Sequence, residues 1–122
     1  MKTVGDKLTP FAITGVKPGQ PEDAFYTITD QSFEGKWKVI VYYPKDFTFV
    51  CPTELHAFQE KIVEFEKRNC AVVACSTDTE QSHWGWLQVP KSQGGIKGVT
   101  YPIVADTTKT ITSNYDAMFG DY

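Results

Sequence analysis

The sequence predicts an α/β fold: one sheet of mostly parallel strands with helices packed against it. Three observations carry that expectation. Two short runs, Trp37 to Tyr43 and Cys70 to Ser76, are almost wholly apolar; a helical periodicity lies between them; and a third such run, Tyr101 to Ala105, follows a second helical stretch. At 122 residues, 41% apolar and 14% aromatic, the chain suits a single domain over residues 1–122 with a core of its own.

Taken in order, Phe11 to Val16 and Ala24 to Thr29 are short apolar or β-branched runs separated by Lys17-Pro18-Gly19-Gln20-Pro21, the pattern of an N-terminal β-hairpin. Trp37 to Tyr43 (W-K-V-I-V-Y-Y) is nearly continuous and β-branched in its middle, as expected of a central strand covered on both faces, and Pro44 ends it. Residues 53–68 then carry Leu55, Phe58, Ile62 and Phe65 at spacings of three and four, with Glu60, Lys61, Glu64 and Lys67 elsewhere on the wheel. That spacing predicts an amphipathic helix of about four turns. Arg68 complements its negative end and Asn69 can take the left-handed cap. Cys70 to Ser76 reads as a second buried strand, parallel to the first.

Asp78 or Thr79 is expected to cap a short helix through Trp84 and Trp86 that ends by Pro90. A polar, glycine-rich loop from Lys91 to Gly98 leads to the strand at Tyr101 to Ala105, and Thr107 onward reads as a further helix toward Met118. Right-handed crossovers restrict this order to a thioredoxin-like or flavodoxin-like sheet with helices on both faces. A sheet of that kind does not ordinarily finish at Phe119-Gly120-Asp121-Tyr122, so the domain reads as cut short.

Composition removes several function classes. The formal net charge is −3, with 12 basic residues scattered among 15 acidic ones, so no basic face for nucleic acid is expected. The start, Met1 to Lys7, has no apolar stretch of signal-peptide length, and no run approaches the roughly 18 residues of a membrane span. A soluble, cytoplasmic protein is expected. Cys51, Cys70 and Cys75 form no C-x-x-C pair, which argues against a disulfide framework or a four-ligand zinc site and for free thiols in a reducing compartment. His56 and His83 stand at no metal-ligand spacing and read as surface or partly buried residues rather than as a cysteine's catalytic partner. No bound cofactor or metal is implied.

Ligands of open α/β sheets bind beyond the carboxyl ends of the strands, where Pro44-Lys45-Asp46-Phe47-Thr48-Phe49-Val50-Cys51-Pro52-Thr53-Glu54 joins the first strand to the long helix. Pro52 suits the first helical position, which puts Cys51 at the helix N-terminus, where unpaired amides and the dipole favour thiolate over thiol. A lowered thiol pKa is the expectation. Cys70 and Cys75, inside an apolar strand, read as small buried hydrophobes. By residue type alone, Thr48 reads equally as a turn hydroxyl and Glu54 as a first-turn acid complementing the dipole.

The pattern P-x-x-x-T-x-x-C, present as Pro44, Thr48 and Cys51 within Y-Y-P-K-D-F-T-F-V-C-P-T-E, resembles the active-site signature of the peroxiredoxins. The resemblance extends over essentially the whole chain, through V-G-D-K, N-C-A-V-V-A-C-S-T-D, S-H-W-G-W, G-G-I-K-G and Y-P-I-V-A-D. It is strongest to the typical two-cysteine branch that includes alkyl hydroperoxide reductase C. It implies a thioredoxin-like fold with an N-terminal hairpin, here lacking the last strands and C-terminal helix. It also implies a thiol-dependent peroxidase that reduces hydrogen peroxide and organic hydroperoxides in antioxidant defence and redox homeostasis. Cys51 would be the peroxidatic cysteine, oxidised to a sulfenic acid; Thr48 would hold the peroxide, Pro44 would shield the site, and Glu54 would orient an arginine. Thioredoxin or a flavoprotein disulfide reductase is the implied reductant, and dimers assembled into rings the implied oligomer.

Two departures from the family pattern qualify this. The family's active-site arginine lies on a strand beyond Tyr122, and Arg68, the only arginine present, sits at the far end of the long helix. The C-terminal segment with the resolving cysteine, and the late strand of the dimer, are also absent, which leaves an exposed sheet edge. In place of the family's G-G-L-G stands Gly94-Gly95-Ile96-Lys97. The alternative reading is therefore a weakly active or inactive fragment, at most a redox-sensing or holdase-like module. A thiol-disulfide oxidoreductase is disfavoured because position 54 is Glu where a second cysteine would stand.

Overall fold

The computed structural model describes residues 11–29, 31–33, 35–43, 46–47 and 51–109. The hairpin forms as expected: β1 (Ala12–Val16) pairs antiparallel with β2 (Phe25–Thr29), from Ala12 opposite Thr29 to Val16 opposite Phe25. Its connection holds a single helical turn, α1 (Pro21–Ala24). β3 (Trp37–Tyr42) and β4 (Cys70–Ser76) run parallel over six register pairs, and β5 (Ile103–Ala105) continues parallel beside β4. The order across the sheet is β2-β1-β5-β4-β3, with β1 antiparallel to β5.

The helix expected over 53–68 is two helices. α2 (Cys51–Glu60) and α3 (Ile62–Lys67) meet at Lys61, whose φ of −102° and ψ of 9° leave helical geometry. Leu55, Phe58, Ile62 and Phe65 still share the sheet-facing side, with Leu55 sealed and the other three half-buried. Full burial of a leucine is worth about 2 kcal/mol. Asn69 takes the left-handed conformation at φ 55°, and its side chain donates to the Gly35 carbonyl at 2.8 Å. Arg68 donates both to Glu64 Oε2 at 2.8 Å and to the Glu64 carbonyl at 3.1 Å, which satisfies a carbonyl of the last turn.

Thr79 rather than Asp78 caps α4 (Glu80–Gln88), its hydroxyl accepting from the Ser82 amide at 3.2 Å. The helix buries His83, Trp86 and Leu87, an i, i+3, i+4 face, and stops at Val89 just before Pro90. A 3₁₀ turn (Lys91–Gln93) and left-handed Gly94 then fold the chain back beneath it.

Two expectations read differently among the described residues. β3 was expected at the sheet's centre, covered on both faces; among the described strands it stands at one end of the order, with Trp37 62% exposed and Lys38 to Tyr42 only half-buried. Apolar continuity reports what a strand's faces need, not where the strand stands in the order. Helices were expected on both faces. Among the described residues, α2, α3 and α4 join one core with Val72, Ala74 and Ile103, whereas Val73, Cys75, Val104 and Ile28 on the other face meet Phe11, Ile13 and Phe33 instead of a helix. Of the helix expected from Thr107 toward Met118, Thr107 and Thr108 form a turn instead, and residues 110–122 lie outside the described residues.

Candidate active site at the start of the second helix

The parallel strands β3, β4 and β5 end on the same side of the sheet, and the chain leaving β3 reaches α2 there. Tyr43 directly follows β3 and is buried; its amide donates to the Cys75 carbonyl at 3.1 Å, which extends the β3 to β4 pairing by one rung. Cys51 is the first residue of α2, and Pro52 is buried in its first turn. Glu54, also in that turn, is exposed. Pro44 and Thr48, the other residues of the signature, lie outside the described residues.

Between strand and helix, Asp46 is held from several directions. The Tyr43 hydroxyl donates to its Oδ1 at 2.6 Å and the Ser82 hydroxyl to its Oδ2 at 2.8 Å, while His83 Nδ1 faces the same Oδ2 at 2.7 Å. The Asp46 amide donates to Asp78 Oδ2 at 2.7 Å, and the Asp78 amide donates to the Ser76 hydroxyl at 3.2 Å. The other ring nitrogen of His83, Nε2, donates to the Val104 carbonyl at 3.1 Å. Burial is the main reason the Tyr43 phenol is pushed far above the ordinary tyrosine range, and the Asp46 carboxylate beside it adds to the shift.

A second set of contacts holds α2 from below. The Tyr101 hydroxyl donates to the Leu55 carbonyl at 2.6 Å, and His56 Nε2 donates to the Gly95 carbonyl at 3.0 Å. Trp86 Nε1 donates to the neighbouring Gly94 carbonyl at 3.1 Å, so the glycine-rich turn joins α2 to α4. Phe47 stands 58% exposed with its ring 6.0 Å from that of Trp86. Cys75 is fully buried in β4 and Cys70 only partly buried at its start, and burial raises the Cys70 thiol above its ordinary value.

The histidines depart from the sequence reading, because both are buried and hydrogen-bonded, His83 completely. The cluster of Tyr43, Asp46, Asp78, Ser82 and His83 was not foreseen. One signal was present: His83 shares its helix face with Trp86 and Leu87, and a histidine on an apolar face needs partners for both ring nitrogens.

A mixed sheet whose parallel strands deliver, at their carboxyl end, a helix that starts on a cysteine defines a thioredoxin-like fold of the peroxiredoxin type. The profile of the AhpC/TSA family matches residues 4–122. A thioredoxin peroxidase of Trypanosoma brucei rhodesiense is 43% identical over 98 residues, 80% of this chain and 49% of that protein. Peroxiredoxin-2 of Bos taurus is 37% identical over 118 residues, 97% of this chain and 57% of that one. Among solved structures, the reduced 2-Cys peroxiredoxin of Plasmodium vivax superposes with a TM-score of 0.86 at 32% identity, covering 97% of this chain and 71% of that one. AhpC of Mycobacterium tuberculosis superposes at 0.83 and 32%, covering 99% and 75%. The chain belongs to the AhpC/TSA family, the peroxiredoxins, and spans about half the length of the curated relatives it matches.

Proposed function

We propose that this chain carries the peroxide-reacting half of a thiol-dependent peroxidase, with Cys51 as the nucleophile. The observation that carries the reading is the place of Cys51: first residue of a ten-residue helix, at the carboxyl end of the parallel strands. Unpaired amides and the positive end of the helix dipole favour a thiolate there, and the thiolate is the reactive form. The thiolate sulfur attacks the terminal peroxide oxygen and the O–O bond breaks. The leaving oxygen takes a proton and departs as water or alcohol, and sulfur is oxidised to a sulfenic acid. Thr48 would hold the peroxide by its hydroxyl, Pro44 would keep water from the site, and the Cys51 amide would donate toward the reacting oxygens. Glu54, exposed in the first turn, would orient an active-site arginine.

Reduction of the sulfenic acid would call on a second thiol, with thioredoxin or a flavoprotein disulfide reductase as the reductant at the end of the cycle. Neither Cys70 nor Cys75 is suited to resolve it, since both belong to β4 and Cys75 is sealed. Relatives named thioredoxin peroxidase support this reading.

The test is intact-mass spectrometry after one equivalent of hydrogen peroxide with a sulfenic-acid trap, on the wild-type chain and on Cys51→Ser, each first shown to be folded by circular dichroism. Trapping within seconds at Cys51 alone is the expected result. A folded wild-type chain that reacts no faster than a free thiol, or equally at Cys70 and Cys75, ends the proposal in favour of an inactive fragment.

A further inference from the structure

The geometry points to His83 as a positioning residue for Cys51, acting through Asp46 on the loop that delivers the cysteine; this rests on the peroxidase reading of Cys51. His83 spans two elements with its two nitrogens. Nε2 donates to the Val104 carbonyl, in the strand paired to both β1 and β4, and Nδ1 engages Asp46, five residues before Cys51. The ring is therefore a strut of fixed length from the middle of the sheet to the loop. Asp46 is otherwise tied to Tyr43, Ser82 and Asp78, so its place is set by the end of β3, by α4 and by the segment that precedes α4.

A second observation shows what the strut works against. Phe47, the next residue, has φ 59°, a left-handed conformation costly to a bulky side chain. Such a conformation persists only where its surroundings impose it. On the far side of Cys51, α2 is fixed by Tyr101 at the Leu55 carbonyl and by His56 at Gly95. Cys51 thus lies between two anchored points, and among the described residues the one on the Asp46 side includes a strained residue, Phe47. Releasing Asp46 lets Phe47 relax and redirects the chain into the first turn of α2, where the thiolate gains its stabilisation.

The test uses the full chain with His83→Gln, which cannot reach both partners, and Ser82→Ala, which removes one donor from Asp46 and leaves the ring in place. Two quantities are read at Cys51: the rate of sulfenic-acid formation with hydrogen peroxide, and the pH profile of alkylation by iodoacetamide, which reports the thiolate without using peroxide. Folded His83→Gln is expected to lose at least about tenfold in peroxide rate and to shift its alkylation profile to higher pH. Ser82→Ala is expected to move both in the same direction by less, and it carries the test if His83→Gln does not fold. Folded variants that are less stable than wild type but keep its rate and profile overturn the inference and leave His83 a purely structural residue. A wild-type chain slow with peroxide defeats the peroxidase reading instead, while the alkylation profiles still decide the positioning.

Discussion

His83 Nδ1 stands 2.7 Å from Asp46 Oδ2, and the two side chains keep 0% and 1% of their accessible surface. A pair so buried gains little over an apolar pair of the same shape, yet it is costly to break, because the surviving partner is left in the interior. His83→Ala should lower stability by about 3–5 kcal/mol, measured by urea unfolding followed by circular dichroism. A loss within the few tenths of a kilocalorie typical of surface changes would contradict the described burial.

Tyr43 and Tyr101 should titrate well above the ordinary tyrosine range. Burial is the leading cause for both, and each is raised above the ordinary value of 10.0. The unfolded chain releases these protons near pH 10 and the folded chain only above it, so in that interval the unfolded state binds fewer protons. The stabilisation is complete below about pH 10 and is lost as pH climbs through the folded values. Tyrosinate absorbance from these two rings should rise together with loss of the circular-dichroism signal, and Tyr101→Phe should remove one ring from that cooperative step.

Gly95→Ala should be far worse than Gly15→Ala. A methyl group at position 95 would run into the Val89 carbonyl group and Cβ, which are backbone or bound directly to it, whereas at position 15 it would meet the end of the Ile28 side chain. Overpacking of this kind costs about 1–3 kcal/mol, and Gly95→Ala should stand at the upper end because the turn also anchors His56 and Trp86. Thermal unfolding of both variants checks the ranking.

Thr79→Ala removes the N-cap acceptor of α4 and should cost about 1 kcal/mol. The denaturant midpoint should fall with an unchanged m-value. Restoration by Thr79→Ser would assign the loss to the cap, since serine presents the same oxygen to the Ser82 amide.

The three cysteines should alkylate in the order Cys51, Cys70, Cys75 at neutral pH. Cys75 is sealed in β4, and Cys70 is accessible but held as a thiol by partial burial. Peptide mapping after brief iodoacetamide treatment reads the order directly, and raising the pH should accelerate Cys70 before Cys75.

Most of the architecture was legible because its signals are local. The hairpin, β4 and the turn at Asn69 each follow from residues within a few positions of one another. The place of β3 among the described strands was not, because W-K-V-I-V-Y describes a strand with two apolar faces wherever it stands in the sheet. The break at Lys61 was equally hidden, since Leu55, Phe58, Ile62 and Phe65 keep helical spacing across it. At the candidate site, the place of Cys51 at the start of a helix was legible from the strand-to-helix junction. The support beneath it was not: Asp46 meets Ser82 and His83 across 36 and 37 residues, and no periodicity encodes a pairing at that range.

The middle strand of the described sheet, β5, comes after the other four in chain order, and it is the one that joins β1 to β4. On a ribosome, the hairpin and the β3 to β4 unit would emerge as two separate halves, each with an unpaired edge, and would wait for Ile103–Ala105 before they could meet. Val104 also offers the carbonyl that holds His83. The arrival of this one short strand would therefore join the two described halves and supply His83 with its carbonyl partner in the same step, so nascent chains halted before residue 103 should bind chaperones more strongly than those released past it.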